Sequence, residues 1–371
     1  MKVLLAGGGT AGHINPAIAI AKIVQKNEPD SEILFVGNIG GMEETLIKKA
    51  GYKFKGIVIS GFSRKLSLEA IKKNLITIKR AIISSIKARE IIKEFDPDIC
   101  IGTGGYVSGP VVREAIKLKV PSIILEQNAY PGMTTKMLAK KVQAVMLGVE
   151  DAKKNISKKA ITVLTGNPVR SDVASSKSKA RAALKLDSRP VILSFGGSLG
   201  ARKVNEAIIE LIAHTSKKAE FQHIHAYGKY GRWFIPALYE KGIDVKSNPQ
   251  LDLREYIYNM PTCIAAADLV ICRAGAITIS EMESAGKASI LIPSPNVAEN
   301  HQYHNAMALV NKNAACIIEE KDLTGEKLIK TVYEMLKNKE TIAKYEENAK
   351  RLAIRDTDKI IYNLIKDTRK K

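Results

Sequence analysis

Three glycine-rich segments of this chain have residue types and spacing that suit the binding of phosphate groups. The first, residues 7–13, reads Gly-Gly-Gly-Thr-Ala-Gly-His between an apolar run and a helical pattern. Glycines let the backbone approach a phosphate closely, and the N-terminus of a following helix attracts its negative charge. His13 ends the segment, and we expect it to act as a general base or a phosphate donor; a purely structural role in the turn is the alternative.

The same segment argues against a dinucleotide cofactor. Gly7, Gly9 and Gly12 satisfy the G-x-G-x-x-G pattern, but dinucleotide-binding folds also carry an acidic residue at the end of the second strand. This chain has Gly37 and Asn38 at that point. We therefore expect neither NAD nor FAD, and we predict no cofactor.

The second segment, residues 196–202, reads Gly-Gly-Ser-Leu-Gly-Ala-Arg and again lies between a strand pattern and a helix pattern. Its backbone amides and the Ser198 hydroxyl form a candidate cradle for a diphosphate. The glycine–serine spacing also matches the nucleophile elbow of α/β-hydrolases, which needs a downstream acid and a histidine such as His301 or His304. That alternative leaves the first half of the chain without a purpose, so we favour diphosphate binding.

The third segment, residues 273–281, reads Arg-Ala-Gly-Ala-Ile-Thr-Ile-Ser-Glu after a strand pattern. We expect it to direct a helix N-terminus at a pyrophosphate, with Glu281 accepting hydrogen bonds from ribose hydroxyls. A carboxylate suits a vicinal diol because it accepts two O–H donors at once. Thr278 and Glu281 also have the spacing of a capping box, which would be a structural role only.

Amide side chains follow other strand patterns, with Asn128 in the first half and Gln302 in the second. Because an amide both donates and accepts, these residues suit a hydroxyl-rich ligand, although each can also close a turn. No D-x-D pair stands in a strand-end loop, so we expect no bound divalent metal. Helix N-termini and the basic field would then neutralise a leaving diphosphate.

The elements that must position these loops alternate between strand and helix in both halves of the chain. Strand patterns lie at residues 3–6, 33–36, 53–59, 98–102, 122–125 and 144–147, and then at 191–195, 223–226, 269–272, 289–292 and 315–317. Helical patterns in the first half begin near Ile14, Met42, Ser67, Val107 and Thr134. This alternation predicts parallel sheets with right-handed crossovers, so the expected fold class is α/β with two Rossmann-like, doubly wound domains.

The pattern restarts after Asn167-Pro168, where proline forces the preceding residue out of the helical region. We predict one domain over residues 1–164 and a second over 165–340. The helical segment 341–371 is expected to pack back on the first domain. Ligands bind beyond the carboxyl ends of parallel strands, so the two sheets would face a central cleft.

Composition favours some partners and argues against others. The formal net charge of +20 favours anionic partners such as acidic lipid or phosphorylated metabolites, although solubility alone also accounts for it. Aromatic residues make up only 5%, which argues against binding of single-stranded nucleic acid. The four cysteines lack disulfide or metal spacing, and no run of about 18 apolar residues is present. We expect a cytoplasmic protein whose membrane contact is peripheral.

Taken in order, the loops resemble the MurG family of GT-B glycosyltransferases, which act in peptidoglycan synthesis. The matching residues are Gly8–His13 with Pro16, Gly104–Pro110, Glu126–Asn128 with Pro131 and Gly132, Gly166–Arg170, Gly196–Arg202, Ala276–Glu281, and Gln302 with Asn305. The resemblance implies inverting, metal-independent transfer of N-acetylglucosamine from UDP-GlcNAc to undecaprenyl-diphospho-MurNAc-pentapeptide at the cytoplasmic face of the membrane. It also implies that residues 1–164 bind the acceptor and residues 165–340 the donor.

By matching position, the resemblance implies roles for individual residues. Ile257 and Arg170 would lie near the uracil, and Glu281 on the ribose. Ser198 and the turn formed by Ala276, Ile277 and Thr278 would face the diphosphate. Ile279 and Ser280 would also belong to the donor-binding set. Asn128 and Gln302 would hold the N-acetylglucosamine. Thr10, Ala11 and Gly12 would border the sugar and the acceptor, with His13 as the favoured candidate for the base.

Four positions depart from the family pattern: Leu125, Leu199, Ala274 and Ala11, where histidine, glutamine, serine and glycine are usual. We expect Leu125 and Leu199 to remove polar groups from the walls of the site and to affect acceptor contacts. Three alternatives therefore stay open: a paralogous glycosyltransferase with another lipid-linked acceptor, a UDP-sugar epimerase, and a non-catalytic UDP-sugar-binding protein.

A lipid acceptor requires a surface that docks on the membrane, and residues 65–87 are the best candidate. Their apolar stripe, which includes Ile86, is expected to face mostly the domain core. Beside it lie residues that we predict to contact an anionic membrane: Lys72, Lys73, Ile76, Lys79, Arg80 and Ile83.

Overall fold

Each half of the chain folds around one parallel β-sheet, which confirms the predicted α/β class with two doubly wound sheets. This computed structural model describes residues 1–59, 83–169 and 176–370. The chain divides into a first unit, Met1–Arg170 with Ile354–Lys371, and a second unit, Ser171–Ala353. The helix predicted near Ser67 lies outside the described residues.

The first unit has a seven-stranded sheet in the order β3-β2-β1-β4-β5-β6-β7. Its strands are β1 Lys2–Gly7, β2 Glu32–Asn38, β3 Lys53–Ile57, β4 Ile99–Gly104, β5 Ser122–Glu126, β6 Ala144–Leu147 and β7 Thr162–Leu164. Its helices are α1 Ala11–Asn27, α2 Met42–Lys49, α3 at residues 83–95, α4 Gly105–Lys117, α5 Met133–Leu138 and α14 Thr357–Thr368.

Alternation along the strands divides the core of the first unit between the two faces of its sheet. Leu4 of β1 and Ile124 of β5 belong to a cluster with apolar residues of α3, α4 and α5. Their neighbours Leu5 and Leu125 belong to a second cluster, with apolar residues of α1, α2 and α14. Strands buried on both faces read as continuous apolar runs, which explains why these strands were predictable.

The second unit has a six-stranded sheet in the order β10-β9-β8-β11-β12-β13. Its strands are β8 Val191–Phe195, β9 Gln222–Ala226, β10 Leu251–Arg254, β11 Leu269–Cys272, β12 Ser289–Leu291 and β13 Cys316–Ile317. Its helices are α6 Lys177–Ala183, α7 Arg202–Ser216, α8 Phe234–Glu240, α9 Met260–Ala266, α10 Ala276–Ala285, α11 His301–Val310, α12 Gly325–Lys337 and α13 Lys339–Leu352.

Sequence patterns missed two strands, β7 and β10, and both lie at an edge of a sheet. Every residue of β7 and β10 is only partly buried, so neither strand has the fully apolar run of a central strand. Edge strands are exposed on one side and carry a weaker pattern for that reason.

The C-terminal segment divides between the two units. The predicted single helix over residues 341–371 is two helices, α13 and α14, separated by a turn in which Asp356 has φ 59°. Helix α13 packs on α10 and α12 within the second unit, and the return to the first unit begins at Ile354. There Tyr362 of α14 and Arg369, the residue after that helix, both bond the carboxylate of Glu28, at 3.0 and 2.8 Å.

The cysteines and the helix lengths bear on two expectations from the sequence, free thiols and peripheral membrane contact. Cys100, Cys263, Cys272 and Cys316 are all free thiols, and the first three are buried. No helix in residues 1–59, 83–169 and 176–370 combines the length and apolar character that crossing a bilayer requires.

Candidate active site

His13 stands in the first turn of α1, directly after the glycine-rich loop that follows β1. Its Nδ1 lies 3.1 Å from the backbone oxygen of Gly8 and 3.3 Å from the Thr10 hydroxyl. Burial lowers the pKa of His13, while the Gly8 carbonyl and the charges of Glu126 and Glu43 act in the opposite direction. A histidine with a lowered pKa is neutral near pH 7, which is the state that a general base requires.

The residues beside His13 hold the loop in place. Thr10 caps α1 with extended backbone angles, its side chain makes no capping hydrogen bond to the helix backbone, and Ala11 and Gly12 open the first turn. The hydroxyl of Thr103, at the end of β4, donates to the backbone oxygen of His13 at 2.9 Å. A Cβ on Gly7 would stand 2.0 Å from that hydroxyl, so only glycine fits there. The structure therefore brings the predicted residues 10–13 together.

Glu126, at the end of β5, organises the loop that carries Asn128. Its buried carboxylate accepts from the backbone and side-chain amides of Asn128 at 3.0 and 3.1 Å. It also accepts from the amide of Gly132 at 2.8 Å and from the hydroxyl of Thr135 at 2.7 Å. Sequence reasoning picked out this loop for its amides and missed the carboxylate that orders it. Its position directly after Ile123, Ile124 and Leu125 is visible in the sequence, but that position does not distinguish a buried carboxylate from a solvated one.

In the second unit, the glycine-rich loop after β8 is fastened to the loop after β9. The amides of Lys229 and Tyr230 donate to the backbone oxygens of Ser198 and Leu199 at 3.1 and 3.0 Å. Asn205 of α7 supports the same junction, because its side-chain amide donates to the Tyr227 oxygen at 2.9 Å. The loop is thus rigidly held.

The Ser198 side chain is exposed, which leaves its hydroxyl accessible to a ligand. Within the part of the chain that the structure describes, no hydrogen bond joins Ser198 to a histidine. The arrangement does not form the nucleophile elbow that the hydrolase alternative requires.

Helix α10 begins at Ala276, and its N-cap residue, Gly275, has no side chain to bond the first-turn amides. Thr278 stands inside the helix rather than at its cap, so the alternative role of Thr278 and Glu281 as a capping box is not formed. Ile277, Thr278 and Glu281 are partly accessible. Ile279 and Ser280 are buried within the unit.

Polar side chains tie the loops at this edge of the second sheet to one another. Gln302 accepts a hydrogen bond from the amide of Ser294 at 2.9 Å, which orders the loop after β12. Asn305 donates to the backbone oxygen of Ala274 at 3.1 Å and thereby holds the turn before α10. Gln302 keeps its amide nitrogen for other partners, which suits contact with a hydroxyl.

The two residues expected near a uracil, Ile257 and Arg170, are not both available for contact with a base in the described part of the chain. Ile257 is 3% exposed, so its side chain contributes to the core and offers little surface to a base. Its neighbours Tyr256 and Tyr258 are exposed, with ring centroids 4.9 Å apart, and were missed from sequence. Arg170 lies outside the described residues.

The departures from the family pattern also differ in their placement. Leu125 is 1% exposed and packs in the core of the first unit, so the expectation that it alters a wall of the site is wrong. Leu199 is 46% exposed, in the loop that carries Ser198. Within the described residues, no three His, Cys, Asp or Glu side chains are grouped as a metal site would require.

Two family models match the chain, one in each half. Residues 3–147 match the glycosyltransferase family 28 N-terminal domain, and residues 191–361 match its C-terminal domain. The matches cover both glycine-rich loops at the ends of β1 and β8 and the whole of α10.

Full-length relatives carry one name. A protein of Acetivibrio thermocellus is 42% identical over 372 residues, covering 100% of this chain and 99% of its own. A protein of Bacillus cytotoxicus is 39% identical over 378 residues, covering 100% of both chains. Each is called a UDP-N-acetylglucosamine–N-acetylmuramyl-(pentapeptide) pyrophosphoryl-undecaprenol N-acetylglucosamine transferase.

Solved structures share the fold. The crystal structure of Acinetobacter baumannii MurG is 26% identical, with a TM-score of 0.78 over 99% of both chains. The UDP-GlcNAc 2-epimerase of Neisseria meningitidis is 16% identical, with a TM-score of 0.64 over 99% of this chain and 100% of that one. The second likeness concerns the fold alone.

Proposed function

The chain belongs to glycosyltransferase family 28, and on that premise we propose that it transfers N-acetylglucosamine from UDP-GlcNAc to undecaprenyl-diphospho-MurNAc-pentapeptide. The observation that carries the proposal is the 42% identity, over the full length of the chain, with a transferase named for this reaction. Both halves of the family pattern are present in one chain, as a donor–acceptor enzyme requires. The product would be lipid II, a precursor of peptidoglycan.

The second unit would bind the donor. The uncapped amides at the start of α10 and the exposed loop at Ser198 offer hydrogen bonds to the diphosphate. Glu281, partly accessible on α10, would accept from the ribose hydroxyls, and Gln302 would contact the sugar. Arg170 and the segment around Ile257 would lie near the uracil, where Tyr256 offers an exposed aromatic face.

The first unit would bind the acceptor and supply the base. The acceptor hydroxyl oxygen attacks the anomeric carbon, and the bond from that carbon to the diphosphate oxygen breaks. The hydroxyl proton passes to Nε2 of His13, and UDP leaves. One displacement inverts the anomeric centre, and the negative charge that develops on UDP is stabilised by helix N-termini.

A lipid acceptor places the first unit at the cytoplasmic face of the membrane. Among the predicted docking residues, Lys72, Lys73, Ile76, Lys79 and Arg80 lie outside the described residues. Ile83 of α3 is described and is 49% exposed. Ile86 was expected to face the core and is instead exposed, which extends the apolar surface.

Helix α5 presents further residues of the same character. Met133 and Met137 are exposed, and Lys136 and Lys140 lie beside them. Helix α4 stands between, since its Arg113 bonds Ser85 of α3 and its own residues pack on α5. Exposed apolar side chains ringed by lysines suit an anionic lipid surface.

The test is an incubation of the purified chain with UDP-GlcNAc and a lipid-linked MurNAc-pentapeptide. Acceptor-dependent release of UDP, with formation of the disaccharide lipid, is the expected result. Isomerised sugar without acceptor would instead identify an epimerase. Binding of UDP-GlcNAc without turnover on this or a related lipid-linked acceptor would identify a non-catalytic protein. Turnover that occurs only with the related acceptor would identify a paralogous transferase.

A further inference from the structure

Glu43 of α2 is a buried carboxylate that has no role in the reaction steps described above. It is 1% exposed, and within the described residues it forms no salt bridge. Its two oxygens instead accept backbone amides at the ends of two different strands, from Asn38, the last residue of β2, at 3.0 Å and from Gly9, in the loop after β1, at 3.3 Å. Burying a charge without a counter-ion is unfavourable unless hydrogen bonds compensate it, so these two bonds are essential at this position.

Space for the carboxylate is made by three glycines. A Cβ on Gly8 would stand 2.3 Å from Glu43 Oε1, and one on Gly41 would stand 2.7 Å from Oε2. A Cβ on Gly37 would stand 2.7 Å from its Cγ. The backbone therefore closes around this side chain from three directions, which a residue of different length would not satisfy.

The hydrogen bond to Gly9 has a consequence at His13. The amide of Gly9 and the carbonyl of Gly8 belong to one planar trans peptide, so they point in opposite directions. With the N–H directed at Glu43, the C=O is directed at Nδ1 of His13, 3.1 Å away. One peptide unit thus connects the carboxylate to the imidazole.

A carbonyl oxygen accepts hydrogen bonds and cannot donate, so a hydrogen bond to Gly8 requires the proton on Nδ1, whereas the Thr10 hydroxyl, 3.3 Å from the same nitrogen, can donate or accept and fits either tautomer. In neutral imidazole the other nitrogen, Nε2, then has the free lone pair. Only that tautomer can take a proton at Nε2.

We propose that Glu43 is a positioning residue for His13: it orients the Gly8–Gly9 peptide so that the Gly8 carbonyl holds the imidazole in its Nδ1–H tautomer, with Nε2 free to act as base. The inference rests on the proposed function, in which His13 is the base. It assigns to Glu43 a role in the reaction without any contact with the substrate.

The charges of other groups near His13 also act on the imidazole, and their influence must be distinguished from the orientation of the Gly8–Gly9 peptide by Glu43. Glu126, at the end of β5, acts on the imidazole through its charge, as Glu43 also does. Tyr106 of α4 lies against Gly9, and its pKa is raised by burial and by the Glu43 charge. A test must therefore distinguish the geometry of the Glu43 bridge from its charge.

Two substitutions make that distinction. Glu43→Gln removes the charge and turns an amide NH2 toward one of the two backbone N–H groups, which breaks the bridge. Glu43→Asp keeps the charge on a side chain too short to reach both amides. Glu44→Gln is the matched control, because Glu44 is the next residue of α2 and bonds only Gly40 and Lys48 at the surface.

The first measurement is a long-range ¹H–¹⁵N spectrum of ¹⁵N-histidine-labelled protein, with His13 among the six histidines assigned from a His13→Asn sample. We expect the Nδ1–H tautomer in the wild type and in Glu44→Gln, and a mixture in both Glu43 variants. This readout needs no substrate, so it stays informative if the proposed acceptor is wrong. An Nε2–H tautomer in the wild type would overturn the proposal.

The second measurement is steady-state kinetics with UDP-GlcNAc and the lipid-linked acceptor. Both Glu43 variants should lose about 10- to 100-fold in kcat, part of the 10²–10⁴ that a general base supplies, with the donor KM unchanged. Wild-type amide chemical shifts for β1 and β4 of the first unit, which contains Glu43, serve as the check that each variant is folded. Wild-type kcat in Glu43→Asp beside a low kcat in Glu43→Gln would assign the effect to charge and refute the bridge.

Discussion

Glu126 and Asn128 are joined twice, because one carboxylate oxygen accepts both the backbone amide and the side-chain amide of Asn128, at 3.0 and 3.1 Å. The second oxygen accepts from Gly132 and Thr135. One buried side chain thus sets the conformation of the loop that is proposed to contact the transferred sugar. The hydrogen bonds to Glu126 are strong because the acceptor is charged, and hydrogen bonds to ionised groups are stronger than those between neutral groups.

Glu126→Gln should lower kcat/KM by about tenfold or more, because the amide NH2 would face a donor and hydrogen bonds to a charged group contribute about 1.5–3 kcal/mol. Steady-state kinetics with both substrates measures the effect. Glu114→Gln is the control, since Glu114 is also buried in the first unit but pairs with Lys117 at the end of α4. Equal activity of the two variants would remove the role of Glu126.

The strand-end loops could be found from sequence, whereas the groups that order them could not. Glycines and amides at residues 7–13, 126–128 and 196–202 are visible as local patterns. Glu43 accepts the amide of Gly9, which is 34 residues away and adjacent only in the fold, and Glu126 accepts from residues of its own loop, up to nine residues away, whose approach depends on how that loop folds. A carboxylate in a helix or at a strand end looks the same in sequence whether it is buried or solvated.

Comparison with the family pattern predicted the wrong location for the Leu125 side chain, whereas the geometry of its strand predicts the right one. Side chains of a strand alternate between the two faces of the sheet, so Ile123 and Leu125 share a face. Both pack against α1 and α14 in one apolar cluster. Ile123, Ile124 and Leu125 form a continuous apolar run in the sequence, as in a strand buried on both faces, and this run places Leu125 in the core; the polar residue that is usual at this position in the family suggested otherwise.

Glu281→Ala should weaken the binding of UDP-GlcNAc by about 1.5–3 kcal/mol, the range for hydrogen bonds to a charged group. The reason is the loss of the carboxylate that is proposed to accept from the ribose hydroxyls. Titration calorimetry with UDP-GlcNAc measures the change, and Ser284→Ala, an exposed position on the same helix, is the control. Wild-type affinity in Glu281→Ala would rule out the ribose contact.

Two fully buried histidines of β9 should each contribute stability to the second unit that is lost in acid, whereas Glu283, whose pKa burial raises to about 8, contributes in the opposite direction. Burial lowers the pKa of His223 to about 4 and that of His225 to about 3, while an unfolded histidine titrates near 6.5. The unfolded chain therefore binds more protons between these values, so stability present above about pH 6.5 is lost as the pH falls toward 4. At pH 5 the loss should be about 2 kcal/mol for each histidine.

Urea unfolding at pH 7 and pH 5, followed through a probe in the second unit such as Trp233, tests this dependence. His223→Gln removes one titrating group and keeps an amide that can bond the neighbouring Thr215 hydroxyl, which His223 contacts at 2.8 Å. The variant should lose less stability than the wild type between the two pH values. An identical loss in both proteins would show that His223 does not titrate on unfolding.

Membrane docking should depend on the position of positive charge and not on its total. Changing Lys72, Lys73, Lys79 and Arg80 to glutamate should abolish binding to anionic vesicles, because each basic residue near the surface contributes about 1 kcal/mol. The control changes four exposed lysines of the second unit, Lys217, Lys218, Lys246 and Lys330, and lowers the net charge equally. Vesicle sedimentation should show binding by the wild type and by the control only. Loss of binding in both variants would indicate attraction by net charge, and retention in both would refute this docking surface.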